Sequence, residues 1–106
     1  MAAVTLTKEN FKDEVYQDGV AILVEFWSPD HEICRMIRPI IDQLLNETEI
    51  QVKLGRVNID EEDALSFLFD IQELPTFILF KDCGIVKRLE GAAPRHDILQ
   101  MLEMAK

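Results

Sequence analysis

Ala21-Ile22-Leu23-Val24-Glu25-Phe26-Trp27, running on through Ser28-Pro29-Asp30 into His31-Glu32-Ile33-Cys34-Arg35-Met36-Ile37-Arg38-Pro39, is the stretch that decides the architecture. Its first seven residues form an apolar and aromatic run broken only by Glu25. Such a run reads as a strand covered on both faces and therefore central in its sheet. A lone carboxylate there is costly to ionise and calls for a cationic partner or a raised pKa. Ser28-Pro29-Asp30 is a turn, and from His31 to Glu47 the residues Ile33, Ile37, Ile40, Ile41, Leu44 and Leu45 recur at helical spacing. Pro39 lies inside this longest helix and predicts a kink rather than an end.

The rest of the chain alternates in the same way. Upstream, Val4-Thr5-Leu6 is a short extended start, and Thr7 is placed to cap a helix over Lys8 to Tyr16 with Phe11 and Val15 on one face. Downstream, Gln51 to Ile59 is extended, and Asp60-Glu61-Glu62-Asp63 suits the first turn of a short helix carrying Leu65, Leu68 and Phe69. Phe77 to Phe80 and Ile85 to Glu90 are two strands joined by the tight turn Lys81-Asp82-Cys83-Gly84, hence antiparallel. Pro94 opens a last helix with Ile98, Leu99 and Leu102 facing inward. The predicted order is β-α-β-α-β-α-β-β-α, a single α/β domain over residues 1–106 with a central mixed sheet flanked by helices.

Composition excludes several functions. Lys and Arg total 11 against 20 for Asp and Glu, a net charge of −9 that repels phosphate backbones and anionic lipid heads, so neither nucleic acid nor a membrane surface is an expected partner. No apolar run approaches the roughly 20 residues of a membrane helix. The start Met1 to Lys8 has no basic region feeding an apolar segment, and a native start there would place the protein in the cytoplasm. Two cysteines, Cys34 and Cys83, make no disulfide framework.

The order of elements, filled by these residues, resembles the thioredoxin family along essentially the whole chain. Glu25-Phe26-Trp27 resembles that family's strand ending in an acidic residue, Phe and Trp. The following segment matches Trp-Cys-Gly-Pro-Cys-Lys-Met-Ile-x-Pro without a gap, which places Cys34 on the second cysteine, Arg35 on the lysine and Pro39 on the proline. Val57-Asn58-Ile59-Asp60 is similar to the family's third-strand ending, Leu74-Pro75-Thr76 to its cis-proline turn, and Gly91-Ala92 to the glycine before its last helix. The departure falls where the family does its chemistry. His31 stands for the attacking cysteine, Asp30 for the aromatic residue before it, and Glu32 and Ile33 for Gly and Pro, so the motif reads His-Glu-Ile-Cys.

The resemblance implies thiol–disulfide redox biology with at most monothiol, mixed-disulfide chemistry at Cys34. It makes Cys34 and Glu25 catalytic candidates, with Glu25 moving the proton of Cys34 and Arg56 paired with Glu25, and His31, three residues before Cys34, joins them as a stabiliser of the thiolate when protonated. The partner on this reading is a protein thiol or glutathione. The other reading of Cys34 is a small buried hydrophobe. Cys83, eight residues past Pro75, is carried toward the opposite end of the sheet at about 3.3 Å per residue and cannot bridge to Cys34. His31 and Cys34 at positions i and i+3 could share a metal across a dimer, but two ligands are weak evidence, and neither metal nor cofactor is assigned. His96 reads as a surface residue. The alternative function is a noncatalytic module that holds a protein or peptide in a groove lined by Trp27, Asp30, Leu74, Pro75, Gly91 and Ala92. A monomer or weak dimer is expected.

Overall fold

The computed structural model describes residues 3–106, and Met1 and Ala2, where the reading of the chain start begins, lie outside them. Nine elements follow the predicted order: β1 (Val4–Thr5), α1 (Phe11–Val15), β2 (Ala21–Trp27), α2 (Glu32–Glu47), β3 (Lys53–Asn58), α3 (Asp63–Leu68), β4 (Thr76–Lys81), β5 (Gly84–Glu90) and α4 (Arg95–Glu103). The strands form one sheet in the order β1-β3-β2-β4-β5, with β2 at its centre. Strands β1, β3 and β2 are parallel, while β4 is antiparallel to both β2 and β5. The direction therefore reverses at β4, the first strand of the hairpin. The six-residue α3 spans only about 9 Å, too short to return the chain along the sheet, so β4 starts beside the end of β2.

Alternation along the strands sends side chains to two cores. Leu23, Leu54, Phe77 and Leu79 pack against Ile37, Ile41, Leu44 and Leu45 of α2 and Ile98, Met101 and Leu102 of α4. Ile22, Val24, Phe26, Val57, Ile78 and Phe80 pack against Phe11 and Val15 of α1, Leu65 of α3 and Phe69 just after α3. The second core is aromatic, with Phe69 in ring contact with Phe11, Phe26 and Phe80 at 5.3 to 5.8 Å. Glu25 shares the parity of Leu23 and Arg56 that of Leu54, so both point to the α2 side.

Several boundaries differ from the sequence reading. Helix α1 begins at Phe11 because Thr7 and Asn10 bond each other, the Asn10 carboxamide accepting from the Thr7 N–H at 2.7 Å, and Lys8 to Asn10 form a turn. Helix α3 begins at Asp63, since the acidic residues before it have other partners. Asp60 accepts from the Ser28 hydroxyl at 3.0 Å, Glu61 from the Asn58 amide at 3.1 Å and Glu62 from the Lys8 N–H at 2.7 Å. Leu68 is 67% exposed rather than buried, because a helix this short presents only Leu65 to the core. Pro94 caps α4 in an extended conformation instead of starting it, and α2 continues through Pro39.

Candidate functional site

Register fixes where the site lies. Thr76 at the start of β4 pairs with Phe26 near the end of β2, and with Glu90 at the end of β5. Three connections therefore meet at one end of the sheet: the turn into α2, the segment before β4, and Gly91-Ala92 after β5. Between them lies a groove lined by His31, Ile33, Gln72, Glu73, Leu74, Gly91 and Ala92. Gly91 sits at φ +76°, a left-handed conformation that glycine adopts without strain, and its N–H donates to the Pro75 carbonyl at 2.8 Å. The Leu74–Pro75 bond is cis. No backbone hydrogen bond is made by Leu74 among the described residues.

Of the six residues read from sequence as groove-lining, Leu74, Gly91 and Ala92 line it, while Trp27, Asp30 and Pro75 do not. Pro75 is buried and Asp30 is exposed on the turn before α2. Trp27 is covered by Arg38, whose guanidinium carbon lies 4.2 Å from the indole ring centre. His31, read as a catalytic candidate, contributes to the groove wall, and its Nδ1 is buried without a hydrogen-bond partner among the described residues.

On the α2 side of the sheet a buried ion pair reaches out to a carboxylate nearer the surface. Glu25 and Arg56 are register neighbours on parallel strands, and the Arg56 Nε donates to Glu25 Oε1 at 2.8 Å. The Arg56 Nη2 donates to Asp42 Oδ1 on α2 at 3.0 Å. Glu25 is fully buried and its Oε2 has no hydrogen-bond partner among the described residues. Burial pushes the Glu25 carboxyl above the ordinary range, and Arg56 draws it only part of the way back.

Cys34 is one turn into α2 and 1% exposed. Burial pushes its thiol up, and the Glu25 charge pushes further, against a weaker pull from the Ser28 backbone and Arg38. In this arrangement Cys34 is a thiol and not a thiolate. Cys83 is exposed in the β4–β5 turn at φ +68°, its Sγ 3.7 Å from Asp18 Oδ1, and both cysteines are free. Because Lys81 pairs with Ala21, Cys83 belongs to the end of the sheet opposite the groove. The chain has no adjacent pair of cysteines for dithiol chemistry. His96 is exposed. No group of three or more His, Cys, Asp or Glu side chains among the described residues could hold a metal ion, and no helix among them is long and apolar enough to cross a membrane.

Sequence reasoning missed Arg38, Ile33, Gln72 and Glu73. Arg38 was legible in part, since it lies four residues after Cys34 and so on the same helix face. Ile33, in the first turn of α2, belongs to the apolar helical spacing but is 39% exposed on the groove side, and Gln72 and Glu73 reach the groove through the segment before β4, which no periodicity encodes.

The fold and the thiol environment can be set beside proteins of known family. The thioredoxin family model matches residues 2–104. Thioredoxin 1 of Synechococcus elongatus is 34% identical over 101 residues, covering 95% of this chain and 94% of that protein. Thioredoxin 1 of a Nostoc species is 35% identical over 102 residues, covering 96% and 95%. The chloroplastic M-type thioredoxin of Chlamydomonas reinhardtii is 31% identical over 101 residues, covering 95% of this chain and 72% of that protein. With sheet order, crossover pattern and near full-length similarity in agreement, this chain belongs to the thioredoxin family.

Proposed function

We propose that this is a divergent thioredoxin-family protein of thiol–disulfide redox biology that does not turn over as a dithiol reductase, and that it acts by holding an extended segment of a partner protein in the groove. The observation that carries this is the state of Cys34, a 1% exposed thiol with its pKa pushed up, beside an open groove lined by apolar and polar side chains. His31 stands where the family's attacking cysteine would be, and an imidazole cannot form a mixed disulfide. Leu74, unpaired along its backbone, offers an edge to which an extended chain can hydrogen-bond.

One observation favours a second reading. The Glu25 carboxylate pushes the Cys34 thiol up and its Oε2 has no hydrogen-bond partner among the described residues, so a base is available to take the Cys34 proton once a partner covers the site. On that reading Cys34 makes mixed disulfides with a protein thiol or glutathione: the thiolate sulfur attacks one sulfur of a partner disulfide, and the other sulfur leaves as a thiolate.

The test is the dithiothreitol-driven reduction of insulin. The wild-type chain is expected not to accelerate it. His31→Cys, which restores a cysteine three residues before Cys34, is expected to return measurable activity. Robust turnover by the wild-type chain overturns the proposal, and mixed-disulfide formation at Cys34 with oxidised glutathione in the folded protein favours the second reading over the first.

A further inference from the structure

We propose that the groove selects a partner segment carrying a lysine or arginine side chain opposite Glu73, an inference that rests on the peptide-binding reading above. Glu73 holds its carboxylate against the groove wall. A Cβ added to Gly91 would lie 2.6 Å from Glu73 Oε2, so the carboxylate is folded over the bare glycine backbone. Its side chain makes no ion pair and no hydrogen bond among the described residues, since only its backbone carbonyl is engaged, by the Thr76 hydroxyl at 2.6 Å.

The cations nearby in sequence and fold are occupied elsewhere. Arg35 donates to the Pro29 carbonyl at 2.9 Å. Arg88 pairs with Glu90 at 2.7 Å and also donates to the carbonyls of Phe69 and Asp70. Among the described residues no lysine or arginine lines the groove, so Glu73 is a charge without a partner in a recess whose other walls are His31, Ile33, Gln72, Leu74, Gly91 and Ala92. The net charge of −9 draws cationic partners toward the whole molecule, and Glu73 supplies the local contact that would fix their register.

Three short extended peptides serve as probes, alternating valine with lysine, with serine or with glutamate, read by fluorescence anisotropy and by the backbone amide resonances of Gly91 and Ala92. The valine–lysine peptide is expected to bind most tightly and to shift both resonances. Glu73→Gln should weaken it by about threefold to fivefold, the upper part of the range of an exposed ion pair. Glu9→Gln, which removes the same charge outside the groove, should leave it unchanged. Equal weakening by Glu73→Gln and Glu9→Gln, or no loss with Glu73→Gln, overturns the assignment. If the valine–serine peptide binds at the groove as well as the lysine peptide does, the cation preference fails and the groove reading stands. If no peptide moves Gly91 or Ala92, both fail.

Discussion

Replacing Arg56 by methionine tests whether one guanidinium keeps Glu25 tolerable in the core. Glu25 is fully buried, and its hydrogen bond among the described residues comes from Arg56 Nε at 2.8 Å. Methionine keeps part of the aliphatic stem and removes the donor. Truncating one partner of a buried ion pair costs about 3–5 kcal/mol. Two features put this case at the low end. The Arg56 side chain is 15% exposed, so its own desolvation is partial. Glu25, its carboxyl already pushed up by burial, can take a proton instead of remaining an unpaired anion. The bond to Asp42 ends on a side chain 47% exposed and adds about 0.5 kcal/mol. The expected loss is about 3 kcal/mol at neutral pH, a large share of the roughly 5–15 kcal/mol that holds a domain folded.

The pH dependence has a definite sign. In the variant, Glu25 titrates higher in the folded chain than in the unfolded one, where a glutamate has a pKa of about 4.3. Below that value both states hold the proton and the carboxyl contributes no penalty. As pH rises through it the unfolded chain releases its proton while the folded chain retains one, so stability falls until the folded pKa is passed and then levels off. Urea unfolding curves of wild type and Arg56→Met, taken from about pH 4 to about pH 8, should show a gap that is smallest at the acid end and widens upward at unchanged m. The double variant Glu25→Gln with Arg56→Met should flatten that dependence. A gap equal at both ends, or a loss below about 1 kcal/mol at neutral pH, refutes the reasoning.

Other expectations follow from single contacts. A thiol reagent followed by mass spectrometry should label exposed Cys83 promptly and buried Cys34 only at the rate of opening, and prompt labelling of both would show that Cys34 is not enclosed. Gly55→Ala would set a methyl 2.5 Å from Leu6 Cδ1 and 3.2 Å from Ile22 Cδ1, both side chains being fully buried, and should cost about 1–3 kcal/mol in a thermal or urea melt. Arg38→Met removes the cation from the single tryptophan and should change Trp27 emission while costing about 0.5–1 kcal/mol, and an unchanged emission spectrum would argue against the stacked geometry.

Much of this molecule was legible along the chain. The unbroken apolar run of β2 announced a central strand, the helical spacing from Ile33 to Leu45 announced α2, and the four-residue turn at Cys83 required an antiparallel hairpin. These signals are local, because strand and helix periods are written in neighbouring residues. Glu25 stood out for the same reason, as a carboxylate where only apolar residues should be. What the sequence by itself determined is therefore the order of elements, the centre of the sheet and the wide separation of its two cysteines. Tertiary structure decided the rest: that Arg56, already paired with Glu25 by the resemblance, also reaches Asp42, that Arg38 lies over Trp27, and that Glu73 folds over Gly91. Those pairings join residues 11 to 31 positions apart, and they exist because strand register and helix packing bring separate segments together, a constraint that no local pattern carries.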